Sequence, residues 1–371
     1  MRQFDRRLAY HFDWLVVLLT LAVAGIGLVT IYSATVASEH NGSFTTNPLV
    51  IRQAFYAGIG LVGMIAAVFF DYRRLERYAY VVYVLALLML VAVPVMGSVG
   101  GGARRWINLG FVSVQPSEMI KVALVVALAR YFHRARATGD LRLRDAVPPF
   151  ILLAIPAALI LAQPDLGTVG IVTAVFFSIL FFAGLRLRSF LLLAIVGGAA
   201  IPLLWGHLKP YQQQRVMTFL SPEMDPLGAG YHVIQSKIAI GSGMFWGKGY
   251  LHGTQNKLNF LPEQHTDFIF SVFSEEWGYV GALVLLALYA ALVLRGLLIA
   301  YRAKDRFGSL LAFGIVAIVF WQVVINVGMT SGILPVVGIP LPFVSYGGSS
   351  LTSMMIALGL VINVNMRRFS Y

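Results

Sequence analysis

Residues 261–267, Leu-Pro-Glu-Gln-His-Thr-Asp, run directly into Phe-Ile-Phe-Ser-Val-Phe-Ser-Glu-Glu-Trp-Gly at 268–278, and from there into an apolar run that reaches residue 299. The junction closes a long polar loop, about 207–266, and opens a helix greasy enough to cross a bilayer. Upstream in the loop stand Tyr-Gln-Gln-Gln-Arg at 211–215, Asp-Pro-Leu-Gly-Ala-Gly-Tyr-His at 225–232, Gln-Ser-Lys at 235–237 and Gly-Lys-Gly at 247–249. In a chain that is otherwise lipid-facing, so long a polar loop is where binding and chemistry concentrate.

Composition sets the class. Hydrophobic residues are 58% and charged residues 12% of the chain, against roughly 25% charged in a soluble domain. The expectation is an all-α polytopic membrane protein, one integral domain over 1–371. Apolar runs at 14–33, 53–70, 78–96, 117–133, 147–163, 168–185, 189–206, 267–299, 309–330 and 349–365 predict ten transmembrane helices, each near the ~20 residues a bilayer needs. Residues 1–13 are too charged, and the run after them too long, for a cleaved signal peptide, so this end reads as a signal anchor. The absence of cysteine excludes disulfides and thiolate metal sites.

Orientation follows from the basic residues. With the N-terminus cytoplasmic, clusters such as Arg73, Arg74, Arg77 and Arg302, Lys304, Arg306 fall inside, as the positive-inside rule requires. The inner segments then carry the whole formal net charge of +12. The basic excess is therefore a topology signal, and it gives no support to nucleic-acid binding. Both termini are expected to be cytoplasmic, with the long loop extracytoplasmic between helices 7 and 8. ATP is absent from that face.

The candidate site residues lie on the outer side. A helix started by His265 or Thr266 would align Asp267, Ser271, Ser274, Glu275 and Gly278 on one face, a polar stripe that must meet protein or a water-filled cleft. Asp267 is the expected catalytic base, because apolar walls raise a carboxyl pKa while nearby cations lower it; its alternative role is to cap its own helix. Ser271, Ser274 and Glu275 would support it. Glu118 and Lys121 share a helix face and can pair, either as an interfacial pair or as part of a functional cavity. Asp165 suits an N-cap or a site-supporting role equally. Arg52, Arg105, Arg215, Lys237 and Lys248 are the cations available for a phosphate or pyrophosphate group. Lys248 sits in a Gly-rich turn that reads either as a flexible connection or as an N–H nest for a lipid phosphate, although the P-loop spacing is missing. Glu263, His265 and Asp267 alternate and form a weak candidate set for a divalent cation, Mg or Mn. The segment 231–240 has the spacing of an amphipathic helix lying on the bilayer or packing the loop onto the bundle. Hydrolase motifs are absent.

Several strings together resemble a known family. Gln-Pro-Ser-Glu with Lys121, Ala-Gln-Pro-Asp-Leu-Gly-Thr, the run from Asp225 through Ser242 to Gly243, His-Gly-Thr-Gln, and Leu-Pro-Glu-Gln-His-Thr-Asp-Phe-Ile-Phe look like the SEDS family (shape, elongation, division, sporulation). The likeness extends from the first helix to Val-Ser-Tyr-Gly-Gly-Ser at 344–349, and the end at Tyr371 without a long tail matches the elongation branch. The resemblance implies a ten-helix peptidoglycan glycosyltransferase of the bacterial inner membrane. Such an enzyme polymerises lipid II for cell-wall elongation and rod shape, releases undecaprenyl pyrophosphate, and works with a class B penicillin-binding protein. By motif, Asp267 matches the family's essential aspartate. Glu118, Lys121, Asp165 and Arg215 match functionally sensitive positions, and Arg52, Arg105 and Lys237 fit the cavity lining. The family also shows cation-dependent activity. Two other readings remain open: a lipid II flippase, and a non-catalytic scaffold for the transpeptidase.

Overall fold

The computed structural model describes residues 11–36, 43–100, 103–108, 110, 112–135, 143–204, 206, 210–221, 228–257 and 263–368. Of the segments read above, residues 1–10, 207–209, 222–227 and 258–262, with Asp225, Pro226, Leu227, Leu261 and Pro262 among them, lie outside the described residues. Helices dominate the described residues: α1 Trp14–Val36, α2 Pro48–Phe69, α3 Tyr72–Met96, α4 Pro116–Ala135, α5 Val147–Ala162, α6 Leu166–Phe182 and α7 Leu187–Leu204. After them come α8 Pro210–Leu220, α9 Ala229–Ser242, the single turn α10 Thr254–Lys257, then α11 Ile269–Arg302, α12 Arg306–Thr330 and α13 Gly348–Met366. Each of the ten apolar runs coincides with one helix, α1 to α7 and α11 to α13. Six of these, α1, α2, α3, α11, α12 and α13, are long and apolar enough to cross a bilayer, while α5 and α6 are shorter apolar helices.

The helix starts follow local chemistry. Asn47 accepts from the N–H groups of Leu49 and Val50 at 3.0 and 3.2 Å, with Pro48 following as the first helical residue. Asp305 caps α12 through the N–H of Gly308 at 2.8 Å. The core sits around α12 and α13, whose apolar windows are 67% and 78% buried, against 22% for α2. At the other side of the bundle from the polar loop, buried Asp13 of the α1 entry pairs with Arg295 at 2.9 Å.

Three features depart from the sequence reading. The all-α expectation misses the outer segment after α3, where β1 Ser98–Gly100, β2 Ala103–Asn108 and β3 Ser113–Val114 make a small antiparallel sheet in the order β1-β2-β3. Alternating Arg105-Trp106-Ile107 is strand patterning, and its shortness hides it in a helical chain. Next, α11 starts at Ile269 rather than at 265 or 266, because the preceding residues close a tight turn. Finally, α11 is broken at Gly278 (φ 67°, ψ −165°), so a short outer piece precedes a long apolar one.

Candidate active site

The turn that carries Asp267 is built by one strained residue and held from three sides. Glu263 has a positive φ of 51°, and its carbonyl accepts from the N–H groups of Thr266, Asp267 and Phe268 at 3.1, 3.1 and 3.4 Å. The next carbonyls are all bound by residues far downstream. Tyr346 N–H donates to His265 O at 2.9 Å, Ser345 Oγ to Thr266 O at 2.6 Å, and Asn326 Nδ2 to Asp267 O at 3.0 Å. Asn326, fully buried on α12, also donates to Ile339 O at 2.7 Å, and Gln264 Nε2 reaches Ala34 O at the end of α1 at 2.8 Å. A non-glycine residue at φ > 0 persists only where surroundings over-determine it, and here they do.

Asp267 opens into a cavity of about 240 Å³ whose walls include Arg215, His232, Phe219, Val233, Phe268, Leu334, Pro335 and Val336. Gly338, with φ of +70°, lies against the carboxylate, where an added Cβ would stand 3.2 Å from Asp267 Oδ2. The apolar walls strip water from the carboxylate and push its pKa up to about 6, with Glu263 adding to the rise. Arg215 and Arg105 work against that shift, and Asp165 weakly with it. Arg105 is aimed by two backbone carbonyls, Gln163 O at 3.2 Å and Pro164 O at 2.6 Å. Those bonds use N–H groups without neutralising the charge. Asp165 is an N-cap, accepting from Thr168 N–H at 3.0 Å and Thr168 Oγ1 at 2.8 Å. The α6 cap therefore sits within electrostatic reach of Asp267. In chemical terms the cavity offers a carboxylate of near-neutral pKa with the Arg215 guanidinium in the same wall and that of Arg105 within electrostatic reach, which suits proton abstraction beside a developing anion.

A second cavity of about 590 Å³ lies on the other side of the same turn, lined by Arg52, Trp106, His265 and Tyr346 among others, and it shares Glu263 with the first. Burial holds the His265 imidazole below its usual pKa, with Glu263 opposing.

Other expected site residues are placed differently. Lys248 donates to Glu275 Oε1 at 2.6 Å and to Thr254 Oγ1 at 2.7 Å, so its charge is matched inside the protein and lines neither cavity. The same Glu275 oxygen takes the N–H groups of Thr254 and Gln255 at 2.8 and 3.2 Å. The Gly-rich turn is no anion nest either. Lys248 and Gly249 N–H donate to the carbonyls of Glu275 and Glu276, acceptors set free by the helix break at Gly278. There Gly247 approaches so closely that an added Cβ would stand 2.1 Å from Glu276 O. Ser271 meets Ser236 of α9 at 2.6 Å, and Ser236 in turn donates to Thr330 O at 2.6 Å. Ser274 is buried, and an added Cβ at Gly243 would fall 2.1 Å from its carbonyl. The polar stripe below Asp267 thus faces packed protein and binds the loop to the bundle. Val233, Ser236 and Ala239 are the buried face of α9, which packs the loop onto α11. Replacing Lys248 with Met is expected to speed amide exchange at Lys248, Gly249 and Thr254 by about tenfold, as loss of a part-buried charge-assisted bond to the buried Glu275 carboxylate implies. Hydrogen-exchange mass spectrometry reads this directly, and unchanged protection would refute the structural assignment.

Lys237 is exposed, its stem lying over Gly332, outside both cavities. Lys121 and Glu118 form a buried pair at 2.7 Å on α4, also outside the lining of either cavity. Among the described residues no three His, Asp or Glu side chains gather as metal ligands would. Glu263, His265 and Asp267 fail to converge because His265 and Asp267 point into different cavities. The sequence reading overlooked Asn326, Ser345, Gln264 and Gln53, each buried. Polar side chains inside apolar helices such as Asn326 were the available signal.

The family profile described as cell cycle protein, covering FtsW, RodA and SpoVE, matches residues 13–369. The chain belongs to this family. It is 45% identical over 359 residues to the peptidoglycan glycosyltransferase MrdB of Escherichia coli, covering 96% of this chain and 94% of that one. It is 37% identical to stage V sporulation protein E of Bacillus subtilis, over 95% of this chain and 96% of the relative. Among solved structures, a chain from a study of the structural coordination of polymerization and crosslinking by a peptidoglycan synthase complex superposes with a TM-score of 0.82 at 33% identity, covering 97% of this chain and 99% of that one. The rod shape determining protein RodA of Thermus thermophilus gives 0.71 at 32%, with 97% and 98% covered. In this FtsW/RodA/SpoVE member, the fold is that of the RodA structures.

Proposed function

We propose that this chain polymerises lipid II into glycan strands at the extracytoplasmic face of the bacterial inner membrane, with Asp267 as general base. Peptidoglycan glycosyl transfer is the activity for which its relatives are named. The proposed topology has ten spans and both termini cytoplasmic, which puts the Asp267 turn, the small sheet and the 207–266 loop on one side. The acceptor's 4-hydroxyl on GlcNAc gives its proton to Asp267 as its oxygen bonds C1 of the donor MurNAc. The bond from C1 to the pyrophosphate breaks, and undecaprenyl pyrophosphate leaves with its charge countered by Arg215 and Arg105. A class B penicillin-binding protein is the proposed crosslinking partner, supported by the likeness to a chain from a peptidoglycan synthase complex.

One observation carries the proposal: a carboxylate with pKa near 6 facing a cavity that Arg215 lines, with Arg105 within electrostatic reach. Purified protein in liposomes with fluorescent lipid II tests it. Muramidase-sensitive glycan is the expected product, whereas transfer of label between leaflets without polymer would support a flippase. A scaffold would keep complex formation and rod shape when Asp267 or Arg215 is substituted. The active form is the ionised carboxylate, so kcat/KM is expected to rise about tenfold per pH unit up to about 6 and then level. A profile flat from pH 4.5 to 7 would remove Asp267 from the base role.

A further inference from the structure

Three polar residues recur at every fourth position of the mostly apolar α12: Gln322, Asn326 and Thr330, all fully buried. That spacing puts them on one face, each a turn from the next. Two of the three are accounted for. Thr330 Oγ1 donates to Asn326 O at 2.9 Å, and Thr330 O accepts from Ser236 Oγ at 2.6 Å, which ties α9 to the bundle. Asn326 uses both Nδ2 hydrogens, on Asp267 O at 3.0 Å and on Ile339 O at 2.7 Å. It therefore fixes the Asp267 turn together with the neighbour of Gly338, the glycine that lies against the Asp267 carboxylate.

Gln322 is the exception. Among the described residues neither its Oε1 nor its Nε2 has a hydrogen-bond partner, and the same holds for Asn326 Oδ1 one turn away. The Asn326 amide cannot turn round to relieve this, because both groups it meets are carbonyls and only its NH2 end can serve them. A buried amide without a partner is costly, and an apolar side chain of the same length would fill the space without that cost. Packing alone thus gives no reason for glutamine here. Side chains four apart on a helix stand about 5 to 6 Å from each other at Cβ, and a buried water makes about three hydrogen bonds. Asn326 Oδ1, Gln322 Oε1 and Gln322 Nε2 are three such partners. A metal ion would take the two oxygens and leave the Nε2 donor unmet, so the set suits a molecule that both donates and accepts.

We infer that an internal water bridges Asn326 Oδ1 and the Gln322 amide, and that through it Gln322 is a positioning residue for Asp267. The water donates to Asn326 Oδ1 and accepts from Gln322 Nε2, which holds the Asn326 amide on its two carbonyls. The effect on catalysis rests on the general-base reading of Asp267; the hydration does not.

A cryo-EM map of the full chain in nanodiscs is expected to show one solvent peak about 2.8 to 3.0 Å from Asn326 Oδ1 and from a Gln322 amide atom. A dry contact between the two side chains overturns the proposal. Gln322→Met keeps the length and removes both polar atoms. By hydrogen-exchange mass spectrometry it is expected to speed exchange about fivefold at the amides of Thr266, Asp267 and Phe268, which bond Glu263 O, and to leave Lys248, Gly249 and Thr254 within about twofold. In the polymerisation assay kcat falls about fivefold while KM stays within about twofold. Gln322→Ser, which keeps a hydroxyl and leaves room for a second water, is expected to recover most of both losses. A Gln322→Met protein that melts higher than wild type, with exchange and kcat unchanged, would show that the amide has no partner to lose and would overturn the bridge. Equal loss of protection at both sets of amides would overturn the positioning role. A fully active Asp267→Asn enzyme would instead sink the general-base reading, while the solvent peak and the exchange pattern would still decide the water.

Discussion

Asp267→Asn is expected to lower lipid II polymerisation by about 100- to 10,000-fold, the range for removing a general base, while making the folded protein more stable at neutral pH. The second half follows from the apolar wall around the carboxylate. Its pKa rises from 3.8 to about 6 on folding, so the folded state holds the proton more tightly than the unfolded one. Stability therefore falls as pH climbs through that window, and above pH 6 the ionised side chain costs on the order of 2 to 3 kcal/mol. Asn has nearly the same shape and no charge to desolvate. The variant should accordingly melt higher than wild type at pH 8 and about level with it at pH 4, where Asp267 is protonated. Thermal melts in one detergent at both pH values, run beside the polymerisation assay, check it. An inactive variant that also melts lower at pH 8 would mean that the carboxylate holds the turn together.

Glu118→Leu is expected to destabilise the bundle by about 3 to 5 kcal/mol, the cost of leaving a buried charge without its partner. Lys121 is 2% exposed and Glu118 3%, with Nζ and Oε1 2.7 Å apart. Their side chains lie in α4, packed against α3 and α12. Lys121→Met in the same protein should recover most of the loss, because a pair replaced by apolar groups leaves no orphaned ion. If Glu118→Leu keeps its melting temperature and loses polymerisation, the pair has a role in the chemistry. If the double variant stays as unstable as the single one, the pairing account is wrong.

Much of the site was legible in the residues. The polar loop ending in His265-Thr266-Asp267 singled out Asp267, which lines a cavity with Arg215, and Arg215 and Arg105 carried charge with few local acids to match. Asp165 before Gly167 and Thr168 announced a cap. The readings that changed share a cause. Periodicity places Ser271, Ser274 and Glu275 on one face but does not say what that face touches, and here it touches α9 and the Gly-rich turn. Lys248 looked free because its partner Glu275 is remote in sequence, 27 residues on.

Hydrophobic run length and the distribution of Lys and Arg determined the membrane class, the places of the ten helices and the expected sidedness, because these depend on transfer of contiguous segments between water and lipid. The position of Asp267 at the mouth of an apolar helix also came from sequence, where a charge is costly. Only the tertiary structure decided which cations serve Asp267, why its pKa rises, and that two cavities flank one turn. Those properties come from side chains and carbonyls far apart in sequence, such as Asn326 and Ser345 on the 266–267 backbone or Arg105 on the carbonyls of Gln163 and Pro164, and no local pattern encodes such distances.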